Sequence, residues 1–321
     1  MAHRRKVVLV LVLGVACLAG AANADETPIR LIVPFAPGGS ADQIARLVST
    51  GLAQRLGAPV VVQNKAGAGG TLAAEFVAKA PPDGKTLLVG SNGPLVINKA
   101  VYAKLRYDPQ RDLVPVVALA ETPLMLVVRR GTGMGSVAEL LGRARKGEPL
   151  TMASAGTGGI NHLAGLYLSR HIGFTPQHIP YKGSAPAIAA LLAGDVTIMY
   201  DALPSSLQHA KADGQLQALA ITTAQRLPSL PDTPTFNELG FDTGKVTAWF
   251  GIAAPAKTPL ATIMRLNAAA NAVLAEAAVR ERLAAIGFAA MGGSAGDFKA
   301  VIQSETKRWV PLAKALSVKA D

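Results

Sequence analysis

Ile29-Arg30-Leu31-Ile32-Val33-Pro34-Phe35 is a short run of β-favouring residues, and Ala36-Pro37-Gly38-Gly39 turns the chain from it into residues 40–55. There Ile44, Leu47, Val48 and Leu52 recur at helical spacing, and Gly57 and Pro59 end the pattern. Residues 59–63 read as a second strand and 71–80 as a second helix, stopped by Pro81-Pro82-Asp83-Gly84. Residues 86–89 read as a third strand. Strand, helix, strand, helix, strand predicts a mostly parallel sheet with helices on both faces, an α/β fold.

The same rhythm continues downstream. Strands are expected at 124–128, 150–153, 178–181, 196–200 and 216–222, with helices at 136–145, 161–169 and 185–193. A further strand at 249–253 precedes helices near 259–274, 277–285 and 297–316. No linker rich in Ser, Gly or charge divides the chain, so any boundary is crossed by ordered strands or short loops.

Composition narrows the function classes. The 321 residues are 50% hydrophobic and 17% charged, ample for real cores and a poor match to disorder. Residues 1–24 carry Arg4, Arg5 and Lys6, an apolar run from Val7 to Val15, and Ala22-Asn23-Ala24. This is the pattern of a secretory signal cleaved after Ala24, and its apolar run is too short to cross a bilayer. Cleavage lowers the formal charge from +11 to +8 and removes Cys17, the single cysteine, leaving no disulfide and no thiol nucleophile. Had Cys17 become a lipidated N-terminus, a leucine three positions upstream would be usual, and Gly14 stands there.

Enzyme signals fail on inspection. Gly292-Gly293-Ser294-Ala295-Gly296 fits the nucleophile-elbow pattern, yet no strong strand is expected before it and no histidine follows it, the last being His209. It reads better as a Gly/Ser turn ahead of the last helix. Gly131-Thr132-Gly133-Met134-Gly135-Ser136 has the setting of a dinucleotide loop without its spacing, and no P-loop exists. His162, His171, His178 and His209 form no metal-binding pattern, and Asp195 and Asp201 do not make a catalytic dyad. The positive charge is spread thinly without an aromatic-interleaved basic stripe, against nucleic-acid binding. No catalytic residue, metal or cofactor is therefore expected.

The strand-to-helix turns point to a small ligand instead. In Ala36-Pro37-Gly38-Gly39-Ser40-Ala41-Asp42 the amides of a helix start are free for an anion, and the glycines admit close approach. Ser40 either caps the helix or donates to the ligand. Gly90-Ser91-Asn92-Gly93 follows a strand, where ligands of open α/β sheets bind, although Asn-Gly is also a common turn. Ala155-Gly156-Thr157-Gly158 repeats the strand-to-helix arrangement, so two such half-sites would grip the two ends of an acid. Tyr181-Lys182-Gly183 leads to another helix start with Ser184 as its cap; Lys182 is either a rim cation or a solvated lysine. Asp201 either holds a ligand amine or hydroxyl or orients a neighbouring loop.

At these residues the chain resembles the Bug family of periplasmic solute receptors, the binding components of tripartite tricarboxylate transporters. The resemblance spans the mature chain through Pro28-Ile29-Arg30-Leu31-Ile32-Val33-Pro34-Phe35-Ala36-Pro37-Gly38-Gly39, Asn64-Lys65-Ala66-Gly67-Ala68-Gly69-Gly70 and Pro82-Asp83-Gly84-Lys85-Thr86-Leu87-Leu88. It continues through Tyr107-Asp108-Pro109, Ala153-Ser154-Ala155-Gly156-Thr157-Gly158, His178-Ile179-Pro180-Tyr181-Lys182-Gly183-Ser184 and Trp249-Phe250-Gly251. It implies a type II periplasmic-binding-protein fold: two α/β lobes with a ligand cleft between them, one of residues 25–124 and 247–321 and one of 125–246. It further implies a monomeric, non-enzymatic periplasmic receptor for a di- or tricarboxylate, amino acid or aromatic acid.

In that reading the loop Ala36 to Asp42 grips a carboxylate, and Gly90–Asn92, Ala155–Gly158 and Tyr181–Gly183 form further cleft walls. Asp201 falls where members often carry an acid before a Leu-Pro pair. Ala36 stands where many members have Pro, which leaves the loop's amides in place. The implied partners are the membrane subunits of the transporter or, alternatively, a sensor kinase; a secreted hydrolase or isomerase is the remaining reading.

Overall fold

The computed structural model describes residues 27–211 and 213–320. The expected export signal, its cleavage after Ala24 and Cys17 lie outside the described residues. The chain begins β1 (Ile29–Val33), α1 (Ser40–Leu56), β2 (Val60–Asn64), α2 (Thr71–Ala78), β3 (Thr86–Ser91), α3 (Asn98–Val101) and β4 (Leu113–Arg129). It continues α4 (Val137–Arg145), β5 (Thr151–Ser154), α5 (Ile160–His171), β6 (Gln177–Pro180), α6 (Ser184–Ala193), β7 (Ile198–Ala202), α7 (Leu203–Ala210) and β8 (Leu216–Ile221). It closes with β9 (Thr247–Pro255), α8 (Leu260–Ala275), α9 (Ala277–Ala285), β10 (Ala289–Gly292) and α10 (Ala295–Ala315).

Local chemistry explains the element ends. Ile44, Val48, Leu52 and Leu56 bury one stripe of α1, which Gly57 terminates in the left-handed region at φ 65°. Ser294 accepts from the Asp297 amide while Asp297 accepts from the Ser294 amide, a reciprocal cap that starts α10. That cap gives the Gly292–Gly296 stretch its role as a turn, although the short strand β10 does precede it, contrary to expectation.

The strands follow the order β2-β1-β3-β9-β4-β7-β5-β6, with β8 and β10 also pairing β4. The pairs β1–β2, β1–β3, β5–β6 and β5–β7 are parallel, while β4 and β9 run antiparallel to their neighbours. Two α/β lobes result. One is built on β1, β2, β3, β9 and β10, the other on β5 to β8, and β4 threads both. As far as Pro123, β4 pairs β9; from Leu124 onward it pairs β7. The parallel strands aim their carboxyl ends at the space between the lobes, where α1, α5 and α6 begin.

The sequence rhythm missed some elements. The strand expected at 124–128 is the tail of 17-residue β4, whose Pro115 and Pro123 disguise its continuity. A π-helical turn at Gly93–Ile97, α3 and α7 were not anticipated. Strand β7 lies two residues later than expected, placing Asp201 inside it.

The two chain crossings between lobes are tied by one buried hydroxyl. Thr222 Oγ1 accepts the Leu124 N–H at 3.0 Å and donates to the Val246 carbonyl at 2.7 Å. Thr222→Val keeps the shape but strands a buried donor and a buried acceptor, a loss of about 2 kcal/mol. Urea unfolding should show a correspondingly lower midpoint; an unchanged midpoint would remove this tie from the account.

Candidate functional site

Three helix starts converge between the lobes. While the Gly159 N–H is spent on the Gly156 carbonyl at 3.1 Å, Gly39, Ser40 and Ala41 bring the first amides of α1, Ile160 and Asn161 those of α5 and Ser184 that of α6. These N–H groups have no intrahelical acceptor and sit at the positive ends of their helices. They line a cavity of about 30 Å³ whose apolar walls include Phe35, Ala155, Ala202, Ala248, Ile160 and Phe250, with Ser91 adding a hydroxyl. No charged side chain lines this cavity among the described residues. It can hold an anion by backbone donors while packing an apolar body against walls that include Phe35 and Phe250.

The lobes meet around it. The Ala36 N–H donates to the Lys182 carbonyl at 2.9 Å, Tyr102 Oη donates to the Thr157 carbonyl at 3.0 Å, and Ser40 Oγ lies 3.0 Å from Ser205 Oγ. Glycines let the backbones touch. A Cβ at Gly69, which holds φ 58°, would overlap the Thr157 carbonyl oxygen, and one at Gly183 would come within 2.9 Å of the Ala36 nitrogen.

Beneath the cavity lies Asp201, fully buried at the end of β7. Its Oδ1 accepts from Asn161 Nδ2 at 2.9 Å and Ser184 Oγ at 2.7 Å; its Oδ2 accepts from Ser205 Oγ at 2.6 Å and Ser206 Oγ at 2.5 Å. Burial pushes this carboxyl up from its ordinary range, against hydroxyl donors that pull it down. All four side-chain partners act as donors to its two oxygens, an arrangement that favours the ionised form. Asp201 thus pins the starts of α5, α6 and α7 together.

A second buried carboxylate shapes the α1 loop. Asp42 accepts from the Gly38 amide at 3.0 Å, Arg46 Nε at 2.9 Å and Asn64 Nδ2 at 2.9 Å. Burial raises its pKa, but the bonds from Arg46, Gly38 and Asn64 outweigh this and hold it below the usual carboxylate range. Behind the α5 loop, His162 and His178 stack with centroids 3.5 Å apart and planes 8° from parallel. His162 Nδ1 accepts the Gly158 N–H at 3.4 Å, and His178 Nε2 lies 2.6 Å from Ser154 Oγ.

Of the residues singled out from the sequence, Gly39, Ser40, Ser91 and Ala155 line the cavity. Ala36, Gly156, Thr157, Gly158 and Gly183 build the seam beside it through backbone contacts, while Pro37, Gly38 and Lys182 are exposed and Tyr181 is half-buried. Gly90 packs against Leu95, away from the cavity.

Three side chains are turned to other work. Asp42 and Asp201 are spent on the loops as described. Asn92 is fully buried, with Oδ1 accepting the Trp249 N–H and Nδ2 donating to Glu305 Oε2 at 2.9 Å. That carboxylate oxygen also receives the indole N–H groups of Trp249 and Trp309, so Asn92 is a joint between β3, β9 and α10.

Sequence reasoning did not single out Phe35, Ala41, Gly159, Ile160, Asn161, Ala202, Ala248 and Phe250 as lining residues, and took Ser184 as a cap. The α5 residues were within reach, since a helix start exposes the amides that follow the turn as well as those within it. Nothing local marks Phe250, which reaches the cavity only because β9 pairs β3.

Residues 44–318 match the family described as "Tripartite tricarboxylate transporter family receptor". Protein BugT of Bordetella pertussis is 36% identical over 309 residues, covering 95% of this chain and 94% of that one. Among solved structures, R. palustris Rpa4515 with adipate has a TM-score of 0.85 at 35% identity, covering 91% of this chain and 98% of that one. MatC (Rpa3494) from Rhodopseudomonas palustris, with bound malate, has a TM-score of 0.84 at 35% identity, covering 89% and 98%.

The stacked imidazoles give the site an acid limit. Burial lowers His162 to about 3, helped by the neighbouring His178, and lowers His178 to about 4. In the unfolded chain both take a proton near pH 6.5, so between about 6.5 and 4 the unfolded state binds more protons. Their contribution is complete above pH 6.5 and declines as pH falls, by up to about 1.4 kcal/mol per pH unit for each ring. Urea midpoints between pH 7 and 5 should therefore fall more steeply in the native protein than in His162→Gln/His178→Gln; equal slopes would count against a neutral pair.

Proposed function

The chain belongs to the receptors of the tripartite tricarboxylate transporter family, and we propose from that membership that it is a periplasmic protein that closes on a small carboxylated organic acid and delivers it to its transporter's membrane subunits. The observation that carries this reading is the convergence of the α1, α5 and α6 starts on one cavity with no charged wall residue among the described residues. A carboxylate there receives several backbone N–H bonds in a water-poor space, where hydrogen bonds to ionised oxygen are strong. The relatives solved with adipate and malate support an acid as ligand.

The body divides, in this reading, into a lobe of residues 25–124 and 247–321 and a lobe of 125–246. The partner change of β4 at Pro123–Leu124 and the return of β9 beside β3 support that division. The cavity as it stands has room for roughly two waters, so a di-acid enters with the lobes apart and is covered when the seam, the Ser40–Ser205 contact included, re-forms and the wall side chains give way to it. The Gly39-to-Ala41 amides take a carboxylate from one side, and the Ile160, Asn161 and Ser184 amides take oxygens from the other. Tyr102 and Lys182 contribute to closure, one through its hydroxyl and the other through its carbonyl.

Binding must raise apparent stability, by about 4 kcal/mol at a ligand concentration a thousandfold above Kd. Thermal-shift screening of protein stripped of ligand by unfolding and refolding should find organic acids that stabilise it. Gly39→Val places branched carbons where ordinary backbone angles accept them, facing Ser184 Cβ across the cleft. It should fold normally and weaken acid binding tenfold or more, about 1.4 kcal/mol. A Gly39→Val protein that binds as the native one does would place the carboxylate elsewhere.

A further inference from the structure

Donor hydrogens around the cavity can be assigned one by one. Asn161 has two amide hydrogens, and both are used: Nδ2 donates to the Tyr200 carbonyl at 3.0 Å and to Asp201 Oδ1 at 2.9 Å. Ser184 has one hydroxyl hydrogen, which goes to Asp201 Oδ1 at 2.7 Å. Ser205 also has one, and both of its acceptors, Asp201 Oδ2 at 2.6 Å and the Ala202 carbonyl at 2.9 Å, lie on its own lobe. Ser205 therefore has no hydrogen for Ser40, so in the 3.0 Å contact between them Ser40 is the donor.

The consequence is a fixed polarity. Ser40, Asn161 and Ser184 line the cavity, yet each turns only acceptor lone pairs toward it. The donors that remain are backbone amides. Ser91, the other polar side chain of the lining, makes no side-chain hydrogen bond among the described residues and can turn its hydroxyl either way. A carboxylate satisfies the amides but leaves the three acceptors facing its own oxygens or nothing at all. A buried acceptor without a partner is costly, and one opposed by carboxylate oxygen is worse.

We propose that the ligand carries a hydrogen-bond donor, a hydroxyl or an ammonium group, on the carbon chain beside its carboxylate, and that Ser40, Asn161 and Ser184 select for it. This deepens the acid-receptor reading and rests on it. Asp201 is a positioning residue here: it never meets the ligand, but by taking hydrogens from Asn161, Ser184 and Ser205 it sets what the cavity shows.

Matched ligands test the idea on the purified, ligand-stripped protein by titration calorimetry. Succinate, malate and aspartate differ only in bearing hydrogen, hydroxyl or ammonium on one carbon, and tricarballylate and citrate differ by one hydroxyl. At least one donor-bearing member should bind about tenfold tighter than its plain counterpart, because a site built to bond a hydroxyl or amine rejects the analogue lacking it. The better of malate and aspartate identifies which donor the site takes.

Ser40→Ala removes one acceptor, and Ser205→Ala returns the Ser40 hydrogen to the cavity from a residue outside its lining. Both should narrow the ratio, chiefly by weakening the donor-bearing acid. If plain acids bind as tightly as their substituted partners, or if neither variant moves the ratio, the polarity assignment is wrong while the acid receptor stands. If no acid of the panel binds, while wider thermal-shift screening also finds none, the receptor reading falls and takes this inference with it.

Discussion

Everything at the site hangs on a carboxylate that the solvent never reaches. Removing an ionised group from water costs several kcal/mol unless hydrogen bonds replace its hydration. Asp201 recovers that loss from one amide and three hydroxyls, which arrive from α5, α6 and α7. The starts of α5 and α6 are therefore held together by one buried carboxyl, and their amides are aimed before any ligand is present. The same charge draws donor hydrogens away from the cavity, so orientation of the backbone donors and polarity of the side chains have a common origin.

The chain's positive balance plays little direct part in this arrangement. Arg46 is tied to Asp42, Lys182 is exposed at the rim, and no Lys or Arg lines the cavity among the described residues. In the proposed reading, backbone amides do the work that guanidinium groups do in other anion sites. Amides are part of the main chain and hold their direction without fixing a long side chain, so little conformational entropy is lost when they engage an oxygen.

Much of this was legible before any coordinates. Gly38-Gly39-Ser40 and Gly156-Thr157-Gly158 announce strand-to-helix turns because glycines and a hydroxyl residue fall between a β-favouring run and an apolar periodic one, and those signals are local. What stayed hidden was long-range. Asn92 looked like a turn residue because Asn-Gly commonly is one, whereas its partners Thr247, Trp249 and Glu305 come from elements more than 150 residues away. Asp201 read as a possible ligand contact because the sequence cannot show four donors closing on it from three helices. Strand β4 was cut short in the reading since Pro115 and Pro123 ordinarily end strands, and here the prolines sit where the register shifts or the partner changes. Local grammar thus located the loops, while which side chains those loops turn inward was decided by tertiary neighbours.

The seam of glycine and carbonyl has a bearing on how such receptors diversify. Gly69 lies against the Thr157 carbonyl and Gly183 against the Ala36 nitrogen, so the seam is written largely in main-chain atoms and is sensitive to substitution chiefly at its glycines. The cavity wall, in contrast, is written in side chains such as Phe35, Ala248 and Phe250. Mutation can therefore reshape the chamber while the gasket around it stays the same. Seam and chamber are separable inheritances in this architecture, and a lineage can change what its cavity admits without rebuilding the contacts that frame it.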